Sequence, residues 1–425
     1  MKNFRDMRVH MVSLGCAKNR VDSEKILSVL QRQGCETTDD PGKADLILIN
    51  SCGFIGDARR ETIDTVLEMA EHKKPNGEPK LAVMGCMVER FREEMEKEMP
   101  EIDAFWPLSD SAVSPVYAAA NSSRALQPGL PYAYLKIAEG CGSLCSFCSI
   151  PLIRGGLKSR PMEDIEREAN SLMESGIKEI CLVAQDTTRY GADIGIKNGI
   201  ETLLRRLASL RPPWLRMMYA YPTLVTDDLI RIIASTDCVA PYLDIPFQHI
   251  DNGLLKAMNR HETEGDIMRL IEKIRKEMPD GAIRSSFIVG FPGETEKNFA
   301  KLEKFIQTAE LDHVGVFAYS HEEGTAAAEL PDDVPEKVKQ ERKARIMELQ
   351  RSVSEKQNRK RVGRQFPALV ERFDMENSLL TGRLITQAPE IDGELIFDEC
   401  GAAPGDITDV RITSAMEYDL TGKPA

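Results

Sequence analysis

The sequence predicts an α/β protein in three parts, and two patterns carry this prediction. Strand-like apolar runs alternate with amphipathic helical segments through residues 1–107 and 132–355, which is typical of parallel strands joined by helices. Later in the chain, short β runs are punctuated by Gly, Pro, Asp and Asn. We therefore expect an amino-terminal parallel α/β sheet domain (1–107), a central partial (βα)6 barrel (132–355) and a small carboxy-terminal β-barrel (360–425). The stretch 108–131, rich in Ser, Ala and Pro, is expected to be a linker.

The composition limits the compartment and the partners. The 425 residues are 42% hydrophobic and 29% charged, which is ordinary for globular domains. The chain has no apolar run near the roughly 18 residues of a membrane helix, and its start, MKNFRDMRVHMV, lacks a secretory signal. We expect a cytoplasmic protein without a membrane partner. The net charge of −13 disfavours nucleic acid and favours a basic protein partner, although it is also compatible with a role in solubility alone.

Three cysteines in the first part each follow directly after a strand-like run. The pairs are MRVHMVSL (7–14) with Cys16, ADLILIN (44–50) with Cys52, and KLAVM (80–84) with Cys86. Helical patterns lie between them, the first expected over 22–33. Because ligands bind at the carboxyl edge of an open α/β sheet, we expect these three thiols to converge on one rim.

A second cysteine trio lies in the loop EGCGSLCSFCSIP (139–151), with the spacing C-x3-C-x2-C. Its members are Cys141, Cys145 and Cys148. Three thiolates do not complete a structural zinc site, whereas a four-iron four-sulfur (4Fe–4S) cluster held by three cysteines keeps one iron open. The spacing therefore favours a cluster, and a catalytic zinc is the alternative. The other four cysteines are expected to be small buried hydrophobes: Cys35, Cys181, Cys238 and Cys400.

The second trio, with Phe147 before its last cysteine, resembles the radical S-adenosylmethionine superfamily, whose core is similar to the partial barrel expected here. The first trio resembles the methylthiotransferases, whose amino-terminal domain holds a second cluster. The small terminal barrel is similar to their OB-like TRAM domain. The resemblance covers essentially the whole chain.

Two segments resemble the RimO branch of that family, which methylthiolates the β-carbon of an aspartate in ribosomal protein S-twelve. They are SLGCAKNRVDSE (13–24) and VAQDTTRYG (183–191), where the transfer-RNA branch tends to carry a GQNVNSY-like segment. YLDIPFQH (242–249) and FIVGFPGET (287–295) are similar to both branches. Residues 360–425 contain seven Lys/Arg against twelve Asp/Glu, which suits a basic ribosomal protein better than RNA. The alternatives are a transfer-RNA adenosine methylthiotransferase and a non-enzymatic iron–sulfur carrier or scaffold.

The resemblance implies a division of labour between the two trios. The second trio would hold the 4Fe–4S cluster that cleaves S-adenosylmethionine to a 5′-deoxyadenosyl radical, and the first trio a second 4Fe–4S cluster that carries the sulfur. One S-adenosylmethionine would methylate that sulfur, and another would supply the radical that takes a β-hydrogen from the aspartate. An outside electron donor, such as a flavodoxin or ferredoxin, and a sulfur donor are also implied.

Six residues after the second and fifth barrel strands are expected to contact S-adenosylmethionine: Gln185, Asp186, Gly290, Pro292, Gly293 and Glu294. The alternatives are a strand-ending turn for the glycines and a helix cap for Asp186.

Other polar residues are expected to be structural. We expect Arg154, Lys158 and Arg160 on a solvated face, with contact to a substrate or cofactor carboxylate as the alternative. The segment 22–24 is expected to start a helix, and His249 to be a structural histidine.

Overall fold

The computed structural model describes residues 5–107 and 124–425, so residues 108–123 of the expected linker lie outside the described part. The rest of that stretch begins at Arg124, whose Nε donates to Glu24 Oε2 at 2.9 Å.

The amino-terminal domain is built on a five-stranded parallel sheet with the order β2-β1-β3-β4-β5. Its strands are β1 (Arg8–Ser13), β2 (Glu36–Thr37), β3 (Leu46–Ser51), β4 (Lys80–Gly85) and β5 (Ala104–Trp106), and its helices are α1 (Ala17–Arg32), α2 (Gly56–Ala70) and α3 (Cys86–Glu98). Strand β3 is buried along its length, because alternate residues enter separate cores: Ile47 packs with Val66 on one face, and Leu48 with Ile26 on the other. Helices on both faces explain the continuous apolar run.

Helix α1 begins at Ala17, immediately after the first strand-end cysteine. The expectation that residues 22–24 start a helix is therefore wrong, because these residues lie within the helix and are buried. Asp22 faces the central barrel, where it accepts a hydrogen bond from Arg154 Nη1 at 3.0 Å, whereas Ser23 Oγ donates to Ser13 of the amino-terminal sheet at 2.8 Å. The contact between Asp22 and Arg154 explains why a polar residue is buried within the helix, where the sequence pattern predicted the start of a helix.

The central part contains six parallel strands in two three-stranded sheets, with the orders β10-β9-β6 and β11-β12-β13. These strands are β6 (Tyr132–Lys136), β9 (Glu179–Val183), β10 (Trp214–Met217), β11 (Tyr242–Asp244), β12 (Ala282–Val289) and β13 (His313–Ala318), and the small hairpin after β6 is β7 (Ala138–Glu139) with β8 (Lys158–Ser159). The two sheets meet beyond β10 and β11, where Ala220 N donates to Asp244 O at 2.8 Å. Together they form the partial barrel.

The first helix of this part, α4 (Ile150–Arg154), packs against α3 of the amino-terminal domain. The other helices cover the outside of the barrel: α5 (Met162–Glu174), α6 (Gly199–Ser209), α7 (Asp227–Ser235), α8 (Asn252–Ala257), α9 (Glu264–Glu277), α10 (Glu296–Ala309) and α11 (Glu336–Arg359). Helix α9 shows why these segments are helical. Its start is fixed by a capping box between Thr263 and Asp266, and its apolar stripe Ile267, Ile271 and Ile274 is buried. None of the described helices has the length and apolar character needed to cross a membrane.

The carboxy-terminal domain is a closed five-stranded barrel with the order β14-β15-β16-β18-β17. Its strands are β14 (Gln365–Asp374), β15 (Leu379–Leu384), β16 (Leu395–Asp398), β17 (Ile407–Ala415) and β18 (Leu420–Pro424). Inward-facing side chains such as Val370, Leu380, Phe397 and Val410 fill it.

The end of β15 and the segment 385–392 that follows it dock the terminal barrel against the central one through buried polar contacts. Glu179 accepts from Arg216 Nε and from Arg383 Nη2, both at 2.6 Å, and Arg216 Nη2 also donates to Ile385 O at 2.8 Å. The pKa of Glu179 is lowered, although its burial opposes this, because both guanidinium groups favour the carboxylate. The Glu179 carboxylate therefore fixes the terminal barrel on the central barrel.

We expect Arg383→Met to lower the free energy of unfolding by about 3–5 kcal/mol, because it removes one partner from a buried ion pair. Urea denaturation followed by circular dichroism measures this. As a control, Arg372→Met removes an exposed pair with Glu394 and should cost no more than about 1 kcal/mol. Equal losses in the two variants would contradict a special role for the buried pair.

Candidate functional site

A cavity of about 510 Å³ lies where the carboxyl ends of the amino-terminal strands face those of the central barrel. Residues from both domains line it. All six cysteines of the two trios are among them: Cys16, Cys52, Cys86, Cys141, Cys145 and Cys148. The structure thus brings two groups of thiols, far apart in sequence, to the surface of one chamber.

The first trio is positioned by three strand ends of the amino-terminal sheet. Cys16 precedes α1, Cys52 follows β3, and Cys86 is the first residue of α3. Gly15 and Gly85 turn the chain with φ of 87° and 94°, which favours glycine. A Cβ at Gly15 would lie 2.9 Å from Cys52 Cβ. The tight turn therefore lets two of the cysteine-bearing segments approach each other closely.

The second trio lies on the loop between β7 and α4, which is tied to its surroundings by main-chain contacts. Ser146 N donates to Met258 O at 3.0 Å, and Ser149 Oγ donates to Phe54 O of the amino-terminal domain at 2.9 Å. Ser143 N donates to Cys141 Sγ at 3.3 Å. These bonds hold the loop shape and supply one donor to a thiolate.

Arg154 connects the two trios. It ends the short helix α4 after the second trio, and its Nη2 lies 3.3 Å from Cys86 Sγ of the first trio and donates to Asn19 Oδ1 at 2.7 Å. Its Nη1 donates to Asp22 Oδ2 at 3.0 Å. The expectation that Arg154 lies on a solvated face is wrong, because its side chain is buried between the domains.

A buried charge network extends from this arginine. Lys136 is paired with Asp22 and with Glu139, the latter at 2.6 Å, and Glu139 also accepts from Gln185 Nε2 at 3.1 Å. Although burial opposes it, Lys136 and Arg154 lower the pKa of Glu139 to about 2. The network was missed at the level of sequence, because its members come from α1, β6, β7 and α4 and share no local pattern.

Burial favours the protonated form of four of the six thiols. Burial raises the pKa of Cys52 and of Cys148 to about 12, and it raises the pKa of Cys86 and of Cys141. Metal binding would release these protons. Within residues 5–107 and 124–425, no group of three or more His, Cys, Asp or Glu side chains is arranged to hold a single metal ion, so the fit to a cluster rests on the type and number of the donors.

The donor chemistry fits iron–sulfur clusters. Each trio offers three thiols, and each has a guanidinium beside a sulfur: Arg154 at Cys86, and Arg260, whose Nη1 lies 3.7 Å from Cys145 Sγ. A positive charge next to a sulfur stabilises a thiolate and the anionic cluster that it would hold.

Gln185 and Asp186, which follow β9, both line the cavity. Gln185 Oε1 is buried and has no hydrogen-bond partner in the described structure, so it can accept a bond from a bound group. Asp186 Oδ1 accepts from Thr188 N at 3.0 Å and caps the short turn that follows. Asp186 thus has the capping role that was the alternative to cofactor binding. Burial raises the pKa of its carboxyl group.

The turn after β12 does not reach the cavity lining. None of Gly290, Pro292, Gly293 and Glu294 is among the lining residues. Gly290 and Glu294 lie against α11, and Gly293 N donates to Asp333 Oδ1 at 2.8 Å. Glu294 is buried and accepts from Arg342 Nη1 at 3.1 Å and from Gly290 N. Contact of these four residues with S-adenosylmethionine stays a prediction.

Two further sequence expectations concern single residues. His249 is buried, with Nε2 3.3 Å from Glu294 Oε1 and Nδ1 accepting from Asp251 N at 2.9 Å, so it is a structural histidine as predicted. Lys158 is exposed, whereas Arg160 donates to Glu168 Oε2 at 2.7 Å in a partly buried pair.

The four remaining cysteines lie outside the cavity lining. Cys35 and Cys181 are buried as expected and Cys238 is partly buried, but Cys400 is exposed. The expectation of burial is wrong for Cys400, because it follows β16 in a surface turn of the terminal barrel.

The wall opposite the first trio contains two strained backbone positions. Tyr219 and Gln248 line the cavity with φ of 60° and 69°. Non-glycine residues rarely adopt this conformation, and where they do it is often at a functional site. Tyr219 is held by its N–H, which donates to Asp244 Oδ2 at 3.3 Å.

Three family descriptions match the chain in the order of its folded parts. Uncharacterized protein family UPF0004 matches residues 8–106, the Radical SAM superfamily matches 135–306, and the TRAM domain matches 362–424. Membership of the radical S-adenosylmethionine superfamily implies a 4Fe–4S cluster and S-adenosylmethionine as cofactors.

Two curated relatives match over nearly their whole length. A protein of Natranaerobius thermophilus is 42% identical over 98% of this chain and 99% of its own, and one of Geobacter sulfurreducens is 43% identical over 100% and 99%. Both are named ribosomal protein uS12 methylthiotransferase RimO; uS12 is the S-twelve protein. A solved structure, the cobalamin-dependent S-adenosylmethionine radical enzyme OxsB with aqua-cobalamin bound, has a TM-score of 0.50 and 12% identity, covering 81% of this chain and 57% of that one. At this identity the likeness concerns the fold alone.

The domain order and the relatives define an enzyme of the radical S-adenosylmethionine methylthiotransferase class. Within that class, the chain belongs to the RimO family. The family and the fold class predicted from the sequence are confirmed, and the non-enzymatic alternative is set aside.

Asp244 gives a pH-dependent prediction, because burial raises its pKa from 3.8 to about 6. The folded state therefore holds this proton more tightly than the unfolded state, and its stabilising contribution is lost as pH rises from about 4 to about 6. We expect Asp244→Asn to be more stable than the wild type at pH 7.5 by up to about 3 kcal/mol. Urea denaturation between pH 4 and pH 7.5 measures the difference.

Asp392→Asn is the matched control for that measurement. The pKa of Asp392 is lowered, although burial opposes it, because His313 and Arg284 favour its charge. Its contribution is therefore lost as pH falls, which is the opposite dependence. If the free energy of unfolding of the two variants changed with pH in the same direction relative to the wild type, the opposite pKa shifts of Asp244 and Asp392 would be contradicted.

Proposed function

We propose that this enzyme transfers a methylthio group to the β-carbon of an aspartate in ribosomal protein uS12. The observation that carries the proposal is the pair of cysteine trios, one from each domain, that face a single cavity. The names of the relatives support the substrate, and the acidic terminal barrel suits a basic protein partner.

Cys141, Cys145 and Cys148 would hold one 4Fe–4S cluster, and Cys16, Cys52 and Cys86 another. When bound, these clusters and two S-adenosylmethionine molecules supply the one-electron chemistry, the hydrogen-abstracting radical and the methylated sulfur. The β-carbon of an aspartate is unactivated, so no side chain of the chain itself would remove its hydrogen as a proton at a useful rate.

The residues around the sulfurs orient the ligands and balance their charge. The Ser143 N–H supports Cys141, while Arg154 and Arg260 stand beside Cys86 and Cys145. Such contacts fix ligand orientation and tune a metal centre. Arg154 acts on both sides of the cavity, because it follows one trio in the chain and contacts the other.

Gln185 and Asp186 are proposed to contact S-adenosylmethionine. Both line the cavity beyond β9, and Gln185 offers a buried carbonyl oxygen without a protein partner. For the turn 290–294, the bonds of Glu294 to Arg342 support a positioning role through α11.

The apolar part of the cavity lining would limit access of water to the reacting groups. Apolar side chains from both domains contribute to this lining: Phe54, Ile55, Phe147, Ile150, Ile288 and Phe317. A dry chamber protects reactive intermediates from side reactions. The proposal includes an outside flavodoxin- or ferredoxin-type electron donor, a sulfur donor and a cytoplasmic location, as expected for an enzyme of a ribosomal protein.

The deciding experiment supplies two substrates at once. The protein is reconstituted anaerobically with iron and sulfide and incubated with S-adenosylmethionine, reductant, a uS12 peptide and a transfer-RNA anticodon stem-loop. We expect mass spectrometry to find the methylthio group on the peptide aspartate. Modification of the RNA alone would overturn the proposal.

Cys145→Ala tests the assignment of the second trio. We expect it to abolish 5′-deoxyadenosine formation while the first trio still incorporates iron and sulfide, because the two sets of ligands are independent. Chromatography of the nucleoside and iron analysis measure this. Cys400→Ala, an exposed cysteine outside the cavity lining, is the control and should behave like the wild type. Normal nucleoside formation by Cys145→Ala would disprove the ligand assignment.

Cys52→Ala should give the reverse pattern. Nucleoside formation persists, because the second trio is intact, but the peptide gains no methylthio group. Quantifying both products from one reaction separates the two activities. Retained methylthiolation would contradict the two-cluster scheme.

A further inference from the structure

Lys18 extends from the amino-terminal domain across the cavity lining to the central barrel. Its Nζ donates to Ala184 O at 3.3 Å and lies 4.1 Å from the centroid of the Tyr219 ring. Ala184 directly precedes Gln185, so the ammonium lies beside the proposed cofactor-binding residues.

Lys18 differs from the other cations of the cavity in its partners. Three arginines that line the cavity are each paired with a carboxylate: Arg154 with Asp22 at 3.0 Å, Arg260 with Glu262 at 2.6 Å and Arg284 with Asp392 at 2.6 Å. Among the residues that the structure describes, Lys18 is the one cavity-lining cation without a carboxylate oxygen within 4 Å. With one carbonyl bond made, its ammonium has further hydrogens to donate.

Lys18 lies near both trios. It follows Cys16 of the first trio by two residues in α1, and its Nζ reaches Ala184 O, just after β9 of the central barrel. Lys18 and all six cysteines line the same cavity. A carboxylate bound by the ammonium would therefore lie in the cavity that both trios face.

The support beneath Lys18 is rigid. Tyr219 has a positive φ of 60°, its N–H donates to Asp244, and its carbonyl accepts from Thr187 N at 3.0 Å. The ring under the ammonium is thus fixed by contacts that hold a strained backbone. The face of the Tyr219 ring attracts the ammonium and so holds Lys18 at the cavity lining.

We propose that Lys18 binds the side-chain carboxylate of the substrate aspartate and is a specificity-determining residue. This inference rests on the proposed function. The carboxylate carbon is bonded directly to the β-carbon, so one salt bridge positions the reacting atom between the trios. A neutral asparagine side chain would leave the ammonium unpaired in a largely apolar cavity. The same contact gives no advantage to an uncharged adenine base.

The test compares Lys18→Met and Lys18→Arg with the wild type in the reconstituted holoenzyme. Two uS12 peptides are used, one with the natural aspartate and one with asparagine in its place. Lys18→Met should lower kcat/KM for the aspartate peptide on the order of 100-fold, as for loss of one partner of a buried charge pair. The preference for aspartate over asparagine should disappear, and Lys18→Arg should restore part of it. Lys197→Met, an exposed lysine, is the matched control and should retain the preference.

A second readout separates substrate binding from cofactor binding. The ratio of 5′-deoxyadenosine formed to peptide modified should rise in Lys18→Met, because the radical forms without a correctly placed substrate. An unchanged ratio with both products reduced would overturn the inference and assign Lys18 to S-adenosylmethionine. An unchanged aspartate preference would also overturn it. A wild-type enzyme that modifies neither peptide would instead refute the proposed function.

Discussion

The arrangement of the cavity depends on one buried carboxylate. Asp22 lies inside a helix of the amino-terminal domain, is fully buried and is paired with Arg154 and Lys136 of the central barrel. A buried carboxylate without partners is strongly destabilising. Separation of the two domains would therefore leave the Asp22 carboxylate without either of its partners. Because the cysteine trios belong to different domains, this contact fixes their separation together with the other buried pairs between the domains, Lys25–Glu168 and Arg90–Glu322.

The same contact links structure to chemistry. Arg154 uses one nitrogen for Asp22 and the other for Asn19 and Cys86. A guanidinium is planar, so a shift at the carboxylate also moves the donor at the sulfur. The orientation of one ligand of the first trio is thereby coupled to the docking of the domains. Because one guanidinium contacts Asp22, Asn19 and Cys86 in a fixed geometry, an arginine suits this position better than a lysine.

Much of the fold could be predicted from the sequence, because parallel strands and amphipathic helices leave local patterns. The six central strands lie where apolar runs predicted them, and the thiols at three strand ends line one cavity because parallel strands share one edge. The beginning of α1 has no local signal, because Cys16 makes no side-chain capping bond. The burial of Arg154 could not be predicted, since it depends on a partner more than a hundred residues away. The turn 290–294 was expected to contact a cofactor. It packs against α11 instead, and because α11 comes later in the chain, the sequence around the turn gives no sign of this contact.

The terminal barrel contributes to the chamber through the segment 385–392. Ile391 lines the cavity, and Asp392 accepts from Arg284 Nη1 at 2.6 Å and from the Tyr242 hydroxyl at 2.8 Å. The third domain therefore closes part of the cavity, because Ile391 belongs to its lining. A displacement of this domain on the central barrel would move Ile391 and change the shape of the cavity.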